Sequence, residues 1–212
     1  RKGSAASRIT AATLPRDRIK KSKLLHISGI SLAISDTACD AAYSAINLAR
    51  ESGAMVSFDT NLRLKLWPID RARAVMSDVM RHCDICLPSF DDVVAITDQT
   101  NPDKLVDYCL TLGAKVVALK LGARGCIVAN STHRYHIDPI QCDFKDATGA
   151  GDTFGGAFVA RLLAGDDLLA AGTYANVAAG LSTQGFGAVE PIPNATQVAI
   201  ALKNMAQQKR EG

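Results

Sequence analysis

The sequence predicts an α/β fold, a mainly parallel sheet with helices on both faces, and three observations carry that expectation. Short aliphatic runs alternate with longer stretches of helical periodicity along most of the chain, which is the rhythm of repeated βαβ units. The 212 residues are 48% hydrophobic but only 5% aromatic, enough apolar material for one sizeable core packed by aliphatic side chains and alanine. A glycine-rich turn, Asp146-Ala147-Thr148-Gly149-Ala150-Gly151-Asp152-Thr153-Phe154-Gly155-Gly156, runs straight into an apolar helical stretch. Loops of that kind gather at the carboxyl ends of parallel strands.

The elements follow in order. Leu24 to Ile30 reads as a buried strand, and Asp36 to Ser52 as a helix capped by Asp36 and ended near Gly53. Met55 to Asp59 is the next strand, and a helix from Ile69 to His82 follows Pro68. A strand from Asp84 to Leu87 and a short helix from Asp91 to Thr97 come next. Asn101-Pro102 starts a helix that stops at Gly113, and the β-rich run Lys115 to Leu121 follows. Cys126 to Ala129 and Tyr135 to Ile137 look like an antiparallel hairpin. Helices Thr153 to Leu163, Leu168 to Gln184 and Thr196 to Gln208, the last after an Asn194 cap, finish the chain. No linker or repeat stands out, so residues 1–212 are expected to form one domain.

Composition narrows the function. A net charge of +3, with no basic run interleaved with aromatics, argues against nucleic acid as a partner. No apolar stretch approaches the ~20 residues of a membrane span. The six cysteines, at 39, 83, 86, 109, 126 and 142, have no framework spacing and lie mostly in apolar segments, as buried thiols of a reducing, cytoplasmic protein would. Cys83-x-x-Cys86 lacks the second pair a zinc site needs, so core packing is its expected role. His133 and His136 are expected to edge a surface hairpin.

The glycine-rich turn carries the chemistry. Small residues before a helix aim unpaired backbone N–H groups and the positive end of a dipole at one point, a site for an anion such as a transferring phosphoryl group. Asp152 beside that point repels a stored phosphate but suits proton removal from an attacking hydroxyl, which reads as a small-molecule kinase. Gly151 is expected to let the phosphoryl group approach and to adopt a positive φ. No Walker A string occurs, and the dinucleotide pattern is missed by one position at Phe154. The structural alternative makes Asp152 a helix cap and the glycines packing residues.

Two further loops leave strands. Asp59-Thr60-Asn61-Leu62-Arg63 can project Asn61 and Arg63 toward a ligand, arginine being able to grip a carboxylate or phosphate with two hydrogen bonds, or it can be an ordinary solvated loop. Lys120 to Gly125 contains Gly122 and Gly125, which either let the backbone approach a nucleotide or make a simple hairpin turn.

Asp146 to Phe158 resembles the C-terminal signature of the ribokinase-like, or PfkB, family of carbohydrate kinases. Three more stretches fit the family in the same order: Phe58 to Arg63, Lys120 to Gly125, and Tyr174-Ala175-Asn176 with Gly185-Phe186-Gly187-Ala188. The resemblance spans nearly the whole chain. It implies a ribokinase-like three-layer α/β/α fold from which the lid strands, carried by an N-terminal segment in such kinases, are largely absent. With Arg1 standing where a start methionine would, the chain is expected to be the C-terminal portion of a longer kinase.

The resemblance also implies roles. Gly149, Ala150 and Gly151 form the anion hole, and Asp152 is the catalytic base. Lys120, Gly122 and Gly125 line the ATP phosphates and ribose, with Ser89 and Gly151 among the nucleotide-binding residues. Asn176 touches the adenosine; otherwise it makes an ordinary interhelical hydrogen bond. Asp59-Thr60-Asn61-Leu62-Arg63 followed by Lys65-Leu66-Trp67-Pro68 resembles the 2-keto-3-deoxygluconate kinase branch, where Arg63, with Asn61, faces a sugar acid. The opening Arg1 to Ser7 resembles that branch too and makes Arg1 a second arginine at the carboxylate end. A pair of guanidinium groups favours an acid over a neutral sugar.

The family often shows Asn-x-x-Glu where this chain has Ser89-Phe90-Asp91-Asp92. Asp92 keeps the charge that helps organise Mg²⁺ through water, although Asp91 and Asp92 equally suit a helix start. Asp146, Thr148, Ser182, Gly185 and Gly187 match positions that in some relatives hold a monovalent cation such as K⁺. The expected reaction is therefore ATP-dependent phosphorylation of 2-dehydro-3-deoxy-D-gluconate, a small sugar acid, on its terminal hydroxyl to give the 6-phosphate. A fructokinase or ribokinase of the same family, and a non-catalytic nucleotide-binding fragment, are the alternatives. The oligomeric state, a homo-oligomer included, stays open.

Overall fold

The computed structural model describes residues 3–211. After two short 3₁₀ turns come α1 (Arg16–Lys21), β1 (Leu24–Ser28), α2 (Gly29–Ala33), α3 (Asp36–Glu51), β2 (Met55–Asp59), α4 (Ile69–His82), β3 (Ile85–Cys86), α5 (Phe90–Thr97), α6 (Pro102–Leu112) and β4 (Val116–Lys120). Then follow β5 (Cys126–Asn130), β6 (Arg134–Ile137), α7 (Ala150–Leu163), α8 (Leu168–Ser182) and α9 (Ala195–Glu211). The strands are ordered β1-β2-β3-β4-β5-β6, and the ladders from β1 to β4 are parallel, as the βαβ rhythm requires. The chain divides into two units: residues up to Leu119 with Ala129–His133, and Lys120–Val128 with the residues from Arg134 onward.

In the first unit, β2 is buried along almost its whole length, with Val56, Ser57 and Phe58 fully covered. Such burial is what a parallel strand meets when both of its faces are covered. Helix α4 supplies Ala72, Met76, Val79 and Met80, an apolar stripe at helical spacing. Helix α3 offers Ala38, Ala41, Ala42, Ala45 and Ala49, small side chains that allow close approach. Five cysteines are buried and Cys142 is partly so, all of them free thiols.

Two expectations fail here. The strand expected to reach Ile30 stops at Ser28, because α2 begins at Gly29, and a short apolar run does not distinguish a strand from a buried helix. A Cβ at Gly29 would lie 1.9 Å from the Thr60 carbonyl oxygen, so only glycine fits there. The cap of α3 is Ser35, whose hydroxyl oxygen accepts the Ala38 N–H at 3.1 Å; Asp36 instead bonds Arg71. Asn101 does cap α6, accepting the Lys104 N–H at 3.2 Å, and Gly113 ends it with φ 128°.

In the second unit, three positions of α8 one turn apart form a stripe that follows the chain leaving β6. Gly172 lies against Val128 and Ile137, Asn176 donates to the Asp138 carbonyl at 2.8 Å, and Gly180 lies against Ile140. A Cβ at either glycine would come within 2.6 Å of an isoleucine side chain, so the stripe needs its small residues. A second apolar cluster joins Val177 and Ala178 to Val198 of α9, with Leu181, Leu202 and Met205 around it. Asn194 and Gln197 exchange hydrogen bonds at 3.0 and 2.8 Å, a reciprocal cap for α9. His133 and His136 are exposed, on the β5–β6 turn and on β6. Among the described residues, no helix is long and apolar enough to cross a membrane, and no group of three metal-ligating side chains occurs.

Candidate active site

The glycine-rich turn becomes a helix three residues earlier than expected. Gly149 is the N-cap of α7, and Asp152 is the third residue of the helix rather than the residue before it. The reason is backbone geometry. Gly149 has φ 79°, and a Cβ there would lie 2.9 Å from both the Cα and the carbonyl oxygen of Ala188. Left-handed backbone and close packing together demand glycine. Gly151, by contrast, has no positive φ, which corrects the expectation for it. A Cβ at Gly151 would meet only Lys120 Nζ, at 3.8 Å, so the Lys120 ammonium stands over the turn.

The N–H of Ala150 donates to the Ala147 carbonyl and that of Thr153 to Gly149, at 3.1 and 2.8 Å, while the N–H groups of Gly151 and Asp152 have no acceptor among the described residues. Two free donors, a helix dipole and an ammonium converge on one place. Asp152 is exposed, and its carboxylate takes no hydrogen bond from the described residues, so it is not the helix cap.

Asp146 braces the turn from below. Its carboxylate accepts the Thr148 N–H and hydroxyl at 2.9 and 2.7 Å and the Gly187 N–H at 2.9 Å. These donors, Gly187 foremost, hold its carboxyl below the ordinary carboxylate range. Asp146, Thr148 and Gly187 are thus brought together, whereas the Ser182 hydroxyl donates to the Ala179 carbonyl at 2.7 Å and Gly185 packs on Pro191.

Beyond β4, Leu121 donates to the Gly125 carbonyl at 2.9 Å around a 3₁₀ turn, Gly122–Arg124. A Cβ at Gly125 would lie 2.0 Å from the Ile137 carbonyl oxygen, which accounts for that glycine by packing. Gly122, with φ 62°, has open space before it. Asn176 is buried and spends its amide on Asp138. A cavity of about 370 Å³ in this unit is lined by Arg161, Asp166, Leu169, Thr173, Tyr174 and Leu202. Its arginine is already bonded twice by Asp166, at 2.7 and 2.8 Å, and lies over Tyr174.

In the first unit, the segment leaving β2 is tied by side chains. The Thr60 hydroxyl donates to Asp92 Oδ2 at 2.7 Å, and the Leu62 N–H donates to the same oxygen at 3.1 Å. Asn61 has φ 35°; its N–H donates to Asp59 Oδ1 at 3.1 Å and its Nδ2 to Ser28 Oγ at 3.0 Å. Ser89 donates its N–H to Thr60 Oγ1 at 3.3 Å. Arg63 is exposed, one guanidinium nitrogen on the Leu62 carbonyl at 2.8 Å. Structure therefore gathers Asn61, Ser89 and Asp92 around Thr60 and sets Arg63 at the edge of that network. Arg1 lies outside the described residues.

Sequence reasoning overlooked Gly29, Thr60 and Thr153. Gly29 and Thr60 show themselves only through each other, and Thr153, one residue past Asp152, carries a buried hydroxyl with no partner among the described residues. No periodicity marks any of the three.

The model of the pfkB family carbohydrate kinases matches residues 2–195. The 2-dehydro-3-deoxygluconokinase of Bacillus subtilis (strain 168) is 33% identical over 205 residues, covering 95% of this chain and 63% of its own length. That of Thermoproteus tenax is also 33% identical over 205 residues, covering 96% of this chain and 62% of its own length. Fructokinase-2 of Oryza sativa subsp. japonica is 29% identical over 210 residues, covering 95% and 61%. This chain thus spans less than two thirds of the length of these relatives. Among solved structures, a PfkB protein from Polaromonas sp. JS666 is similar with a TM-score of 0.83 and 30% identity, covering 94% of this chain and 64% of that one. An E. coli protein assigned as a ribokinase II, in complex with ATP and Mg²⁺, is similar with a TM-score of 0.86 and 27% identity over 93% of this chain and 64% of that one. The ribokinase-like α/β fold expected from the motifs is the fold these structures share with the chain.

Proposed function

The chain belongs to the pfkB family of carbohydrate kinases, and from that premise we propose that its protein transfers the γ-phosphoryl group of ATP to the terminal hydroxyl of 2-dehydro-3-deoxy-D-gluconate. The observation that carries the phosphoryl-transfer reading is the first turn of α7, where, among the described residues, the Gly151 and Asp152 amides have no acceptor and the Asp152 carboxylate no donor. Asp152 takes the proton as the hydroxyl attacks. The amides of Gly149, Gly151 and Asp152 stabilise charge on the transferring group, that of Ala150 being spent on the Ala147 carbonyl, and Lys120 adds its positive charge. Gly122 lines the nucleotide. Mg²⁺ enters with ATP as part of the substrate, held by phosphate oxygens and water as that ion prefers. K⁺ would be balanced by Asp146, which its three accepted bonds keep ionised.

Arg63 and Asn61 bind the acceptor, the guanidinium pairing with its carboxylate. Support for the acid comes from the two relatives of that name at 33% identity. The fructokinase likeness at 29% identity keeps a neutral ketose as the second reading. An ADP-release assay on the full-length protein with a panel of sugars and sugar acids decides between them. The sugar acid is expected to lead in kcat/KM by at least about tenfold, the low end of a charge-assisted contact. A neutral sugar in front overturns the acid assignment, and ATP binding with no turnover of any acceptor overturns the kinase.

A further inference from the structure

Asp92 stands where the family resemblance suggests a group for Mg²⁺, yet its carboxylate has another occupation. Oδ2 accepts both the Thr60 hydroxyl and the Leu62 N–H, so one oxygen spans Asn61 and bridges the residues on either side of it. Asn61 is held at φ 35°, a backbone conformation that non-glycine residues seldom adopt and that persists only where its surroundings determine it. Thr60 is fully buried, so its hydroxyl has no water to turn to, and the 2.7 Å bond to a carboxylate is of the strong, charge-assisted kind. Arg63 follows directly.

We propose that Asp92 is a positioning residue for acceptor recognition: it clamps Thr60 and Leu62, and thereby fixes where Arg63 is presented. This rests on the reading of Arg63 as the acceptor-binding arginine. The clamp needs an acceptor oxygen in the right place, and a negative charge only strengthens it. A group organising Mg²⁺ needs the charge.

The variants Asp92→Ala, Asp92→Asn and Thr60→Val test this, with two readouts. Trp67, the one tryptophan of these 212 residues, is buried in the segment just beyond Arg63, so in full-length protein with any other tryptophan replaced by phenylalanine its emission maximum and acrylamide quenching report on that segment without any substrate. Steady-state kinetics on the full-length protein separate the acceptor KM from kcat, the ATP KM and the Mg²⁺ requirement. Asp92→Ala and Thr60→Val should expose Trp67 and raise the acceptor KM about tenfold, with the ATP KM and the Mg²⁺ requirement unchanged. Asp92→Asn keeps the accepting oxygen and should stay within about threefold of wild type in acceptor KM. If Asp92→Asn instead shifts the Mg²⁺ requirement as far as Asp92→Ala does, with Trp67 unmoved, the clamp is wrong. If Trp67 responds in Asp92→Ala and Thr60→Val while the wild type turns over no sugar acid, the clamp stands and the substrate reading fails. Turnover of the sugar acid with an unaltered acceptor KM in both variants refutes the clamp alone.

Discussion

The segment leaving β2 and the turn entering α7 solve opposite problems. From Asp59 to Leu62 the polar groups are tied internally: Asn61 donates to Asp59 and Ser28, while Thr60 and Leu62 both donate to Asp92. From Asp146 to Asp152 the shape comes from backbone, namely a left-handed Gly149 wedged on Ala188 and an Asp146 that gathers donors. That leaves the Gly151 and Asp152 amides unspent. A loop that satisfies itself can hold a side chain in place, while a loop that withholds donors can meet charge arriving from a ligand. The first suits recognition and the second suits chemistry.

The largest effect that would break this division is at Asp152. Asp152→Asn should lower kcat by at least ~10²-fold with ATP affinity nearly unchanged, as loss of a general base does. Near-wild-type turnover, measured by coupled ADP release, would move the chemistry elsewhere.

Arg63 comes next. Arg63→Ala should cost about 1.5–3 kcal/mol, or roughly 10- to 150-fold, in kcat/KM for the sugar acid, and much less for fructose or ribose. Arg63→Lys should rescue in part, since an ammonium keeps the charge without the planar fork. Equal losses on acidic and neutral acceptors would erase the recognition role.

A paired substitution sharpens the contrast inside the second loop. Gly149→Ala forces a side chain into left-handed backbone and into Ala188, so it should destabilise by roughly 1–3 kcal/mol in denaturant melts. Gly151→Ala meets neither obstacle and should leave the melting midpoint alone while lowering kcat. Equal melting losses for the two would show that the turn is held together as a whole rather than at Gly149.

The smallest effect concerns pH. The Asp146 carboxyl is held below its ordinary range, chiefly by the Gly187 N–H, so its contribution is complete above the ordinary carboxylate value and is lost as pH falls through the lower folded one. Asp146 is still partly open to solvent, so the contribution is slight. Acid titration of wild type against Asp146→Ala should show curves that converge only at the acid end, and a gap that widens there would reverse the sign.

Much of this was legible in the chain. The alternation of aliphatic runs and amphipathic stretches located β2, α4 and α6; Asn101 and Gly113 marked the ends of α6 and Asn194 the start of α9, because caps and turns are local chemistry between residues a few positions apart. The four motifs, in order, pointed to the family. What misled was also local: Gly29 inside an apolar run read as strand, and Asp36 read as the cap that Ser35 supplies.

Residue types, spacing and periodicity were determined by the sequence alone, and with them the α/β class and the family. Tertiary structure alone decided how each polar group is spent and which glycine is indispensable. Gly29 needs Thr60, Gly149 needs Ala188, and Asp92 needs Thr60 and Leu62, partners far away along the chain. A sequence carries the donors, acceptors and missing side chains, but whether a donor is satisfied or a Cβ has room depends on which distant backbone folding brings within a few ångströms of it.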